Sequence, residues 1–145
     1  MAVTTFAAID IGSYEVSMKI FEMSKRIGFR EINDVRYQLE LGRGTYAAGR
    51  LEMETVDELC EILNDFKRMM AEFGVESWRA CATSSLRELE NPVIILEQIY
   101  QRTGIRVEIL SNAEQHFLGY KSIAAIESGF KKAIQKGTAI LDIGG

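Results

Sequence analysis

The chain has 145 residues, 47% hydrophobic and 26% charged, an ordinary globular composition that argues against disorder. Its formal net charge of −4 offers no general attraction for nucleic acid, so any phosphate ligand must be held by local amides, a few basic side chains or a metal. The N-terminus MAVTTFAAIDIG lacks the basic region of a secretion signal, and no apolar run approaches the ~20 residues that span a bilayer, so no membrane partner and a cytoplasmic location are expected.

The first predicted element is a strand over 5–11, stopped by Asp10-Ile11-Gly12-Ser13. Val16, Met18 and Ile20 alternate with Ser17 and Lys19, the period-two pattern of a half-buried strand. A turn over 24–28 leads to a third strand near 29–39, and the three read as an antiparallel meander. Gly42, Gly44 and Gly49 punctuate LGRGTYAAGR, which reads as a loop. Val56, Leu59, Leu63, Phe66, Met70 and Phe73 recur every three or four residues, so 53–73 is expected to be an amphipathic helix ending at Gly74.

A strand is expected at 78–83, then a turn over 84–90. Asn91 can cap a helix with Pro92 at its first position, running to Thr103 and stopping at Gly104. A strand at 107–110 precedes a helix opened by Ser111-Asn112-Ala113-Glu114, the S-x-x-E pattern of a capping box. Ala113, Phe117, Tyr120 and Ala124 are its expected buried stripe. A polar turn over 131–137 then precedes a strand at 138–143. The two cysteines, Cys60 and Cys81, lack metal-ligand spacing and read as free thiols, and the single His116 cannot anchor a multi-histidine metal site. The order β-β-β-α-β-α-β-α predicts an α/β fold with a mixed five-stranded sheet and flanking helices.

Residues 138–145, TAILDIGG, echo AAIDIGS at 7–13. Each is an apolar strand ending in Asp-Ile-Gly. Glycine lets a backbone turn approach a phosphate closely, and a strand-end aspartate can hold a divalent cation or orient water beside it. The repeat suggests duplicated halves facing a cleft, with residues 1–137 as a first domain and 138–145 as the first strand of a second, so the chain is expected to be part of a longer protein.

The ordered motifs DIGS at 10–13, ATSSLR at 82–87 with Asn91, EILSNAEQ at 108–115 and DIGG at 142–145 resemble the exopolyphosphatase and guanosine-pentaphosphate phosphatase (Ppx/GppA) family. The resemblance spans essentially the whole chain as that family's first domain. It implies a ribonuclease-H-like, actin-type ATPase half. It also implies hydrolysis of polyphosphate or of guanosine penta- or tetraphosphate with Mg²⁺ in an interdomain cleft, and a homodimer when full length. By the same resemblance, Gly12 and Ser13 belong to a first phosphate loop and Gly144 and Gly145 to a second, Asp10 and Asp142 are metal-side carboxylates, and Arg87, with Thr83 and Ser85 beside it, contacts the transferring phosphoryl group. A planar guanidinium that grips two oxygens suits that role.

Three positions depart from the family's pattern. The segment usually written S-G-x-E-E-A is Ser111-Asn112-Ala113-Glu114-Gln115-His116, so Gln115 stands where the water-activating glutamate is found. An amide cannot take a proton at neutral pH, which removes general-base catalysis worth ~10²–10⁴-fold, although it can still orient water. The capping box accounts for Glu114, and a catalytic role for it is the alternative. Tyr14-Glu15 replaces Asn-Ser, and Glu40 stands where an arginine is frequent, with Arg43 nearby to compensate. Two rivals to a phosphohydrolase follow: a polyphosphate- or nucleotide-binding module that has lost its base at Gln115, and a kinase of the same superfamily.

Overall fold

Ala7, Ile9 and Ile11 alternate with more exposed residues along the first strand, β1 (Thr4–Ile11), and Val16, Met18 and Ile20 do the same along β2 (Glu15–Ser24). The two pair antiparallel with Ile9 opposite Met18 and Ile11 opposite Val16. Since side chains on a strand alternate between faces, this register gathers Ala7, Ile9, Ile11, Val16, Met18 and Ile20 on one side. β3 (Gly28–Gln38) extends the meander antiparallel to β2, as expected. The structure is a computed structural model that describes residues 3–26, 28–135 and 137–141.

β4 (Ser77–Ala82) pairs with β1 in parallel, placing Ala80 and Ala82 beside Ile9 and Ile11, and β5 (Val107–Ile109) pairs in parallel with β4. The five-stranded mixed sheet runs β3-β2-β1-β4-β5, as the sequence predicts. Parallel neighbours need long crossovers, and helices supply them. α1 (Leu41–Ala48) and α2 (Met53–Glu72) connect β3 to β4. α3 (Ser84–Arg87) and α4 (Pro92–Thr103) connect β4 to β5. Val56, Leu59, Leu63, Phe66 and Met70 on α2 are buried in one core with the β1 and β2 residues. α2 and α4 are tied by Lys67 Nζ donating to the Thr103 carbonyl at 2.9 Å and by Arg102–Asp57 at 2.7 Å.

Four expected secondary-structure elements need correction. The glycine-rich 41–48 stretch is helix, not loop, because its glycines serve close packing, as described below. Residues 84–87 form a helical turn, and 130–134 form α6 (Phe130–Ile134) where a polar turn was expected. Residues 138–141 carry no regular structure. A strand needs a partner for its ladder, and none pairs with this segment among the described residues; Asp142 and Ile143, the remainder of the expected strand, lie outside them.

The chain divides into two compact units, one through Ile109 and one from Leu110 onward. The second contains α5 (Asn112–Ile126) and α6, with Tyr120 edge-on to Phe130 at 5.2 Å between ring centroids. Its capping box is formed as the sequence predicts, with the Glu114 amide donating to Ser111 Oγ at 3.2 Å and the Ser111 amide donating to the Glu114 carboxylate at 2.9 Å. The stripe expected to be buried is not: α5 has no buried residue, and Phe117 and Tyr120 are 59% and 41% exposed. Within its own unit the five-residue α6 packs against it, too little apolar surface to cover the face.

β3 is one edge of the sheet, and its surface is charged in both signs. Lys19 pairs with Glu31 at 2.7 Å, Arg30 with Glu22 at 2.6 Å, and Arg36 with both Asp34 and Glu15 at 2.9 and 3.4 Å.

Candidate functional site

The site is built where β1 and β4 end side by side. Asp10 stands beside Cys81 and Ile11 beside Ala82, so the turn after β1 and the helical turn after β4 emerge together from the same end of the sheet. Clefts at the carboxyl ends of parallel strands are the customary place for ligands in α/β sheets.

The turn closes on itself, with the Gly12 amide donating to the Glu15 carbonyl at 2.9 Å. A Cβ at Gly12 would lie 2.9 Å from that carbonyl oxygen, so only glycine fits. Its amide is thereby engaged in the turn rather than directed at a ligand. The Ser13 carbonyl accepts from Gly42 at 2.8 Å and the Tyr14 carbonyl from Leu39 at 3.0 Å. The Ser13 and Tyr14 amides have no partner among the described residues, and two neighbouring amides in such a turn can receive an anion.

Gly42 explains why 41–48 forms a helix despite its glycines. A Cβ there would meet Tyr46 Cε2 at 2.8 Å and Ser13 Cβ at 3.0 Å. The missing side chain lets the first turn of α1 lie directly against the loop. Thr45, buried on α1, donates to the Ser85 carbonyl at 2.7 Å, and Ser85 Oγ donates to the Ile11 carbonyl at 3.4 Å. Ser85 is fully buried and joins α3 to β1 from beneath, so its hydroxyl serves the scaffold.

Ser84, its neighbour, is the hydroxyl on the site side. Ser13 Oγ lies 2.7 Å from Tyr46 Oη and 3.1 Å from Ser84 Oγ, and Tyr46 donates to Ser84 Oγ at 2.6 Å. Sequence reasoning missed Ser84 and Tyr46. Ser84 stood inside the ATSSLR motif, whereas Tyr46 was hidden by the glycines around it.

Thr83 precedes α3 and its carbonyl accepts from the Leu86 and Arg87 amides at 3.2 and 3.0 Å. Arg87 ends α3 with its side chain largely covered and Nε 3.6 Å from the Glu88 carboxylate. The structure therefore brings Asp10, Gly12, Ser13, Thr83, Ser84, Ser85 and Arg87 together on the ends of two adjacent strands. Glu114 and Gln115 belong to the second unit, where Glu114 caps α5. Asp142, Gly144 and Gly145 lie outside the described residues.

Asp10 points away from the core, on the face shared with Ser17 and Cys81. The residue keeps a solvent-accessible surface, yet the protein around its carboxyl removes enough hydration to raise its pKa above the ordinary carboxylate value. The Glu15 charge raises it further. A site that resists gaining negative charge in this way is eased by a bound cation. Among the described residues no three His, Cys, Asp or Glu side chains converge as a metal cage. A single strand-end carboxylate still fits Mg²⁺, which characteristically takes one or two carboxylates and completes its shell with water and substrate phosphate.

The sequence matches the Ppx/GppA phosphatase family over residues 20–145. The chain belongs to that family. Curated Ppx/GppA relatives include Exopolyphosphatase 2 of Mycobacterium tuberculosis, 26% identical over 129 residues, which cover 83% of this chain and 40% of the relative. Guanosine-5'-triphosphate,3'-diphosphate pyrophosphatase of Vibrio parahaemolyticus is 24% identical over 140 residues, covering 97% of this chain and 27% of that one. The crystal structure of the Aquifex aeolicus Ppx/GppA family member superposes with a TM-score of 0.79 at 28% identity, over 85% of this chain and 40% of that one. The chain thus spans well under half the length of these relatives. No helix among its described residues is long and apolar enough to cross a membrane.

Proposed function

We propose that the chain forms the phosphate-binding first domain of a phosphohydrolase that removes terminal phosphate from polyphosphate or from guanosine penta- or tetraphosphate. The observation that carries this reading is the junction of the Ser13 turn with the Thr83–Arg87 turn at the ends of β1 and β4. In the reaction the turn amides and Ser13 would hold oxygens of the phosphate chain, and Arg87 would neutralise charge on the phosphoryl group being transferred. Phosphoryl transfer asks little covalent work of a protein and much positioning and charge neutralisation, which is what these groups supply. Asp10, and Asp142 by the sequence echo, would hold Mg²⁺, whose chemistry is to neutralise phosphate oxygens. A second domain following this one would close the cleft, and Gln115 would orient the attacking water.

Gln115 favours a second reading. With an amide at the position of the usual base, the site is suited to holding a phosphate chain without rapid turnover, as a binding or sensing module. Phosphate release from long-chain polyphosphate by full-length protein with Mg²⁺, compared with Gln115→Glu, separates the two. A hydrolase gives steady turnover in the unsubstituted protein. A binder is nearly silent and gains on the order of 10²-fold or more with glutamate. Neither release nor binding of any polyphosphate or guanosine polyphosphate, with either residue, overturns both.

A further inference from the structure

The hydroxyls of Ser13, Tyr46 and Ser84 form a closed triangle with sides of 2.7, 2.6 and 3.1 Å. Each hydroxyl has one proton to give. Tyr46 gives its proton to Ser84, so Ser13 must donate to Tyr46 and Ser84 to Ser13. The three oxygens come from three different elements: the turn after β1, helix α1 and helix α3. The packing that joins them is specific. Gly42 admits the Tyr46 ring against Ser13, and Thr45, one residue before Tyr46, is anchored to the Ser85 carbonyl. Tyr46 is nonetheless 56% exposed, so the triangle opens to solvent through the tyrosine.

We infer that Tyr46 is a phosphate-contacting residue, and that its hydroxyl joins those of Ser13 and Ser84 as a three-donor seat for one phosphate oxygen. The inference rests on the proposed phosphate site at the Ser13 turn. An ionised phosphate oxygen only accepts, so a ligand arriving over the triangle turns all three protons toward itself. The internal bonds given up are neutral. Those gained are charge-assisted and roughly twice as strong. The oxygens part by a few tenths of an ångström as the bonds between them break, while the elements that carry them, fixed by buried contacts, hold the three around the seat. The seat is therefore preorganised and selects for an anion with a bare oxygen.

The test is titration of full-length protein with tripolyphosphate in Mg²⁺-free buffer, read by calorimetry, with the melting temperature of each variant measured alongside. Tyr46→Phe keeps the ring against Gly42 and removes only the hydroxyl. It should weaken binding about tenfold, the scale of one lost hydrogen bond to a charged group, with a melting temperature close to the unsubstituted protein. Ser84→Ala should weaken binding comparably. Unchanged or tighter binding by Tyr46→Phe, while Ser13→Ala weakens it, overturns the assignment and makes the tyrosine a bystander or a competitor for Ser13. Unchanged binding in all three variants places phosphate elsewhere, which defeats the underlying site reading and this inference with it.

Discussion

Two aspartates show how differently one residue type behaves in this molecule. Asp34 is held down to about 2 from an ordinary 3.8, first by its hydrogen bond with Arg36 and then by Lys19. Its ionised form is favoured in the folded state, so its contribution is complete above 3.8 and disappears as pH falls toward 2. Asp10 has the opposite sign. Desolvation, then Glu15, raises its pKa, so the folded state holds the proton more tightly than the unfolded chain, and stability falls as pH rises from 3.8 through the raised value. Asp34→Asn should therefore lower the melting temperature at neutral pH, with the gap closing below about pH 2. Asp10→Asn should raise the melting temperature at neutral pH, with its advantage vanishing below 3.8. Added Mg²⁺ should stabilise the unsubstituted protein more than Asp10→Asn. Equal stabilisation of both would remove Asp10 from the metal site.

At the scale of elements, α5 depends on its cap. Its N-terminus has the reciprocal Ser111–Glu114 bonds, while none of its residues is buried. A helix without a packed face relies more on local terms. Ser111→Ala should thus cost about 1 kcal/mol of local helix stability, read as loss of helical signal and faster amide exchange over 112–126, with exchange in β1 and β4 unaffected. This capping box was legible in the sequence because its signal is local: four residues carry it. The β1–β2–β3 meander and the α2 stripe were legible for a related reason, since a period of two or of 3.6 records which side faces the core. Legibility failed where a residue type served a neighbour distant in sequence. Gly42 looks like a loop residue until Ser13 and Tyr46, on either side of it in space, show why a side chain is forbidden there. Asn91 has cap chemistry but makes no side-chain cap bond. Ser84 and Ser85 are adjacent and chemically identical, and only the direction of the α3 turn assigns one to the site and the other to the scaffold. The buried stripe expected on α5 failed differently: periodicity shows that a face is apolar, not that anything covers it.

At the scale of the whole molecule, the first unit has a continuous core from β1, β2, β4 and α2, whereas the helices of the second share mainly the Tyr120–Phe130 contact. Opening free energies follow buried contact, so native-state exchange should show high protection through β1, β2 and β4 and markedly lower protection through 112–134. Uniform protection across the chain would contradict that division. The two borders of the sheet are also guarded by different means. β5 is three residues long and offers an intruding strand little to grip, while β3 is eleven residues long and relies on its own Arg30, Glu31, Asp34 and Arg36 side chains. Alternating charge favours an incoming strand whose charges match in register, and an apolar one would strip the edge charges of their hydration. That guard is ionic and exposed, so its range contracts from about 8 Å in physiological salt to about 3 Å at 1 M. The molecule's defence against stacking edge to edge into fibrils is thus borrowed from the ionic strength of its surroundings, and concentrated salt lowers it.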